Sequence, residues 1–165
     1  MGPVDFEAHN DEVRRVWAAY EARTPVRPPV VFGINVRYTM WRPEVNRCEV
    51  GFEEYYSDPE AMLVRQLEHQ SWVRQHVPQD ALMGPPVDGW QVGVDFQNSY
   101  EAGWFDCPLR YFDGEVPDTE PVLEDEARKR LLFERGLPHP YEGGLMRRNW
   151  EFYEALLRKR EEGYE

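Results

Sequence analysis

Three observations predict an α/β fold with parallel strand pairing. Two short apolar runs, VVFGINV at 30–36 and WQVGVDFQ at 90–97, carry β-branched residues and follow proline- or glycine-rich stretches, as strands do. Between them lies a strong helix start, Ser57-Asp58-Pro59-Glu60, so a helix rather than a tight turn separates the runs. The first run is apolar nearly throughout, which suits a strand buried on both faces better than an alternating surface strand. At 165 residues the length prior is one domain.

The remaining elements follow in order. Residues 9–22 are expected to be helical, with Asn10 or Asp11 as cap and Val13, Val16, Trp17 and Tyr20 on one face. Thr24-Pro25 and the prolines at 28 and 29 end that helix. Residues 37–56 scatter Tyr38, Trp41, Phe52, Tyr55 and Tyr56 without a period and read as a loop with a short helical turn. Asp58 then caps a helix, Pro59 takes its first position and Glu60 suits its positive end. This helix is expected to run to about residue 77, burying Met62, Leu63, Leu67, Val73 and Val77. Residues 78–90 form a Pro- and Gly-rich loop, and 100–105 a short helix. Asp113-Gly114 marks a hairpin within 107–123. A helix over about 124–134 stops at Gly136, and a last one over about 145–160 sets Leu145, Met146, Trp150, Tyr153, Leu156 and Leu157 on one side. With only two central strands, both long edges of a parallel pair stay open, so the chain begins an architecture that it does not finish.

Composition narrows the function. Nineteen basic against 31 acidic residues leave a formal net charge of −12, which argues against nucleic acid as a partner, since phosphate tracking needs a basic cluster. No apolar run approaches the roughly 20 residues of a membrane span, so no membrane partner is expected. The start of the chain has no basic segment followed by an apolar one, as a secretory leader would. Cys48 and Cys107 make neither a disulfide framework nor a zinc spacing, and a cytoplasmic setting is the expectation. At 41% apolar and 14% aromatic the chain has the material for a core, which argues against wholesale disorder, while 14 Pro and 12 Gly imply many non-regular segments.

Chemistry is expected at the strand ends. Asn35 and Arg37 close the first run, and Asp95 and Gln97 close the second. In parallel α/β folds ligands bind at the C-terminal ends of strands, where loops vary freely. An aspartate in an apolar strand is costly unless compensated, so Asp95 either serves a site or caps a loop or pairs with an arginine. Arg37 has the same two readings, ligand contact or ion pair. His69 and His76 stand two helical turns apart, too far for paired ligation from adjacent turns, and no metal site or other cofactor is expected. Cys107, before a proline and without a local base, reads as an inert thiol. Gly143-Gly144 ahead of the last helix offers only a weak anion-binding signal, for no strand precedes it.

Four stretches, in order, make the chain resemble the N-terminal part of the uroporphyrinogen decarboxylase superfamily. They are RPPVVFGINVRY (27–38), FEEYYSDPEAMLVRQLEHQSWV (52–73), VDFQNSYEAGWFDCPLRY (94–111) and DGEVPDTEPVLEDEARKRLL (113–132). The first is similar to a strand ending in an Arg-Gln-Ala-Gly-Arg-Tyr motif, the second to a helix that begins after a Pro-Glu pair. The third is similar to a Ser-Asp-Ile strand, the fourth to a Gly-rich hairpin and its following helix. The resemblance implies an incomplete TIM (β/α)8 barrel: one partial domain over 1–165 holding the first two barrel strands, an inserted hairpin and flanking helices.

It also implies a carboxy-lyase acting on a tetrapyrrole or related acid, inactive as an isolated chain. Asp95 then matches the carboxylate that faces the pyrrole N–H groups, accepting their hydrogen bonds and stabilising a protonated, cationic intermediate. Arg37 and Tyr38 match the second arginine and the tyrosine of the strand-one motif and would hold substrate, with Asn35 and Gln97 beside them. Gly33 stands in place of the motif's first arginine and Ile34 in place of its glutamine, which removes one guanidinium clamp for a polycarboxylate. Two alternatives remain: a segment like the corrinoid-linked methyltransferases of the same superfamily, whose zinc ligands lie in the C-terminal half, and a non-catalytic binding module. In either case the partner is a complementary C-terminal chain or a second copy, since open strand edges invite pairing.

Overall fold

Asp5 opens the first helix, earlier than the sequence predicts. Its Oδ1 accepts the N–H groups of Glu7 and Ala8, both at 3.1 Å, so α1 spans Phe6–Glu21. Asn10 and Asp11, the expected caps, lie inside it and have other tasks: Asp11 pairs with Arg14 and Asn10 reaches a distant loop. The structure is a computed structural model and describes residues 4–163.

Helices follow at α2 (Arg37–Met40), α3 (Phe52–Ser57), α4 (Pro59–His76), α5 (Tyr100–Trp104), α6 (Leu131–Arg135) and α7 (Leu145–Glu161). The strands among the described residues are β1 (Leu109–Arg110) and β2 (Asp118–Thr119), paired antiparallel with Leu109 opposite Thr119. They are the arms of the expected hairpin, and Gly114 near its tip has φ +70°. Asp58 caps α4 as predicted, its Oδ1 accepting the Glu60 N–H at 2.8 Å. The helix expected over 124–134 is broken instead into a 3₁₀ turn at Glu126–Arg128 and the short α6, with Gly136 in the left-handed region beyond it.

The two predicted parallel strands are not formed among the described residues, so the fold is helical with one small antiparallel sheet. Residues 30–35 belong to no helix and join no ladder, and Val30, Val31 and Phe32 are 49, 54 and 54% exposed rather than buried on both faces. Side chains take over part of what a neighbouring strand would do. The Val30 N–H donates to the Asp80 carboxylate at 2.7 Å and the Phe32 N–H to Gln79 Oε1 at 2.7 Å. Residues 91–96 likewise lie outside any helix or ladder and run into a 3₁₀ turn at Gln97–Ser99.

The chain divides into two compact units. One comprises Met1–Cys48 and Gln66–Gln91. Its buried apolar side chains are Val13, Val16, Val36, Met40, Val45 and Met83. Polar side chains of α1 order its Pro- and Gly-rich loop: Trp17 Nε1–H donates to Asp80 O at 2.7 Å, and Asn10 exchanges two bonds with the Met83 backbone at 3.0 and 2.7 Å. Arg27 grips the Asp80 carboxylate with both terminal nitrogens, at 2.5 and 2.7 Å. These hydrogen bonds are the main cause that lowers the Asp80 carboxyl to about 2, against the opposing effect of burial. A carboxyl depressed by folding stabilises the fold above its ordinary value of 3.8, and that contribution is lost as pH falls through about 2. Arg27→Gln is therefore expected to lower the urea midpoint most near neutral pH and progressively less as the pH drops below about 4. A deficit that stays constant with pH would show that this pair does not carry it.

The other unit comprises Glu49–Arg65 and Val92–Glu165. Tyr55, Tyr56, Met62 and Phe96 are its most enclosed apolar side chains, joined by Leu145, Phe152 and Leu156 from α7. The predicted stripe of α7 is rotated: Phe152 faces inward, whereas Trp150 and Tyr153 are 47 and 45% exposed. Leu145, Phe152 and Leu156 recur at the seven- and four-residue spacing of one narrow face, and that face is what the unit buries.

Candidate functional site

Phe96 anchors the locus around Asp95. Its ring is fully buried, with centroids 5.6 Å from Tyr56, 6.0 Å from Tyr100 and 5.1 Å from Phe152. Tyr100 clamps the backbone on either side of Asp95: its O–H donates to Val94 O at 2.9 Å and its oxygen accepts the Phe96 N–H at 3.2 Å. Burial, chiefly, pushes the Tyr100 phenol above its ordinary value, and the nearby Asp95 charge adds to the shift. It therefore remains a neutral donor at physiological pH.

Asp95 itself is half-buried. Its Oδ2 accepts from the Tyr55 O–H at 2.9 Å and from Gln97 Nε2 at 3.4 Å, and its backbone N–H points to Met62 Sδ at 3.3 Å. Oδ1 accepts no hydrogen bond among the described residues, and none of their arginines or lysines pairs with this carboxylate. The arginine pairing open to it in sequence is thus absent there, and one oxygen is left to accept from a ligand. Gln97 adopts φ +53°, an unusual value for a residue with a side chain, where the apolar run enters the 3₁₀ helix.

Asn35, Arg37 and Tyr38 belong to the unit of α1. Asn35 Oδ1 accepts the Arg37 N–H at 3.0 Å, so Asn35 orders the first turn of α2. Arg37 is half-buried, its Nε is enclosed without a hydrogen-bond partner, and no carboxylate among the described residues pairs with it. The absence of a carboxylate partner among the described residues runs against the ion-pair reading. Tyr38 is exposed. The structure thus brings Asn35 together with Arg37, and Asp95 with Gln97, and the two sets belong to different units.

Two positioning residues escaped the sequence reading. His69, on the buried face of α4, donates its Nε2–H to Ile34 O at 2.9 Å and places Nδ1 3.1 Å from Thr39 Oγ1, so it supports both sides of Arg37. Its spacing of seven and four from the buried Met62 and Arg65 was the available signal. Tyr55, one of several unpatterned aromatics in 37–56, carried no signal that it would reach a residue 40 positions onward. No group of three or more His, Cys, Asp or Glu side chains is arranged to hold a metal ion among the described residues, and no helix there is long and apolar enough to cross a membrane. The chain matches no protein-family model, no curated protein and no solved structure.

Proposed function

We propose that the chain is the N-terminal segment of a uroporphyrinogen decarboxylase-like carboxy-lyase, and that its two apolar runs, 30–35 and 91–96, are barrel strands awaiting their neighbours. The observation that carries this reading is Asp95: a half-buried carboxylate held by Tyr55 and Gln97, with no cationic partner among the described residues and with Oδ1 available. Such a group accepts pyrrole N–H bonds and stabilises a ring that becomes cationic on protonation, which is what decarboxylation of a pyrrole acetate requires. The resemblance adds Arg37, in the unit of α1, as a separate candidate guanidinium for a carboxylate. In this reading the chemistry needs no cofactor, and the isolated chain does not turn over.

Uroporphyrinogen titrated into the chain under anaerobic reducing conditions tests the roles. Asp95→Asn and Arg37→Gln are each expected to weaken binding by about tenfold without a change in thermal midpoint. Wild-type affinity in both variants would remove the proposed roles. The second reading, a non-catalytic module that pairs with a complementary chain or a second copy, is favoured by the exposed run Val30–Phe32 outside any ladder. The reading frame downstream of Glu165 separates the two. Further barrel strands support the enzyme segment, and their His and Cys content decides between decarboxylase and corrinoid-linked methyltransferase.

A further inference from the structure

The unit of α1 contains a cavity of about 460 Å³ walled by α1, α4 and the 82–91 loop, and its chemistry is unlike that of the rest of this acidic chain. Its apolar floor includes Leu82, Pro86 and Trp90, while Arg14 and Arg74 face a single acidic residue, Asp88. The volume lies within the range of small-molecule sites.

Arg74 is the informative group. It is half-buried and bound to Gly84 twice: its Nε–H donates to Gly84 O at 2.6 Å, and the Gly84 N–H donates to Arg74 O at 2.9 Å. Gly84 holds this turn at φ +78°, and a Cβ there would stand 3.1 Å from the Phe6 ring, so the turn and the carbonyl it presents depend on glycine. The Nε edge of the guanidinium is thereby fixed. The two terminal nitrogens make no hydrogen bond and no ion pair among the described residues. Arg14, by contrast, is paired with Asp11 at 2.8 Å. A planar donor pair, held from behind beside an apolar floor, matches an anion that is itself planar and carries a hydrocarbon body.

We propose that this cavity binds a small organic carboxylate, with its carboxylate on the terminal nitrogens of Arg74 and its apolar part against Leu82, Pro86 and Trp90. The site uses neither Asp95 nor Arg37 and does not depend on the function proposed for them. Asn10 stiffens the wall through its two bonds to the Met83 backbone, so the cavity is formed before the ligand arrives.

Phenylacetate and its neutral isostere phenylacetamide, titrated into the wild-type chain by calorimetry and by amide NMR shifts, test the proposal. Phenylacetate is expected to bind in the millimolar range or tighter, at least about tenfold better than the amide, with the largest shifts in residues 82–91. Arg74→Gln should abolish that preference and Arg74→Lys restore it in part. Equal binding of acid and amide would reduce the cavity to an apolar hollow, and inorganic sulfate competing as well as phenylacetate would reduce it to a surface charge. Either result, or no saturable shift in the 82–91 loop, overturns the proposal. These comparisons are made on the unaltered protein, so a misfolded variant would not leave the question open.

Discussion

Replacing Phe96 by alanine is expected to destabilise the unit that contains Asp95 by about 3–5 kcal/mol, the usual cost of removing a large aromatic ring from a core. The ring is fully enclosed, and three other rings surround it, from Tyr56 on α3, Tyr100 on α5 and Phe152 on α7. Aromatic neighbours held by separate helices cannot collapse far into the space that an alanine leaves, so the cavity cost adds to the lost burial. The same substitution is expected to loosen the backbone next to Asp95, because the Phe96 ring packs against Tyr100, whose hydroxyl bonds Val94 and Phe96. Urea unfolding followed by near-ultraviolet circular dichroism measures the loss, and Phe96→Leu should retain more than half of the stability difference. A loss below about 1 kcal/mol would contradict the packing described.

Gly144→Ala is the second large effect, and its cause is steric rather than hydrophobic. A Cβ at this position would lie 1.9 Å from the carbonyl oxygen of Gly103, a backbone atom that cannot rotate aside. Gly144 also has φ +47° and ψ −126°, a conformation that side chains rarely tolerate. Gly103 is the other half of the contact, since its own Cβ would stand 2.7 Å from Leu145 Cβ. The pair lets the end of α5 touch the start of α7. Alanine at 144 must separate them, at an expected cost of about 3 kcal/mol or more. Alanine at Gly114 supplies the control. Nothing lies within 4 Å of its Cβ, and only the φ of +70° opposes it, for about 1–2 kcal/mol. Similar melting temperatures for the two variants would refute the close approach. The structure thus gives Gly143-Gly144 a packing role, where the sequence had offered a weak anion site.

Local chemistry made the helices legible. Asp58, Pro59 and Glu60 specify the start of α4 through a side-chain cap, a preset φ and a favourable charge, all within a few residues. Gly136 likewise marks a helix end, and the hairpin appears where Asp113-Gly114 stands. The strand reading failed for a reason of the same kind. A short, continuous apolar run shows that a segment is extended and greasy, but pairing needs a second strand at the right place, and periodicity carries no information about that. In the described residues VVFGINV finds Asp80 and Gln79 instead of a ladder. Asp95, Arg37 and their neighbours could be nominated from charge placed at the end of apolar runs, and the helical spacing of His69 put it on the buried face of α4, yet nothing in the chain foretold that Tyr55 would reach Asp95.

The sequence by itself determined the start of α4, the span of α7, the hairpin, the net negative charge and the identity of the charged residues at the ends of the two apolar runs, because caps, breakers and composition act over a few neighbouring residues. The tertiary structure alone decided which of those charges go unpaired: Asp80 is neutralised by Arg27, while Asp95, Arg37 and the terminal nitrogens of Arg74 meet no opposite charge among the described residues. An ion pair depends on distance through space, falling off within a few ångströms of contact, and residues 53 positions apart in the chain come within that range only when the chain is folded.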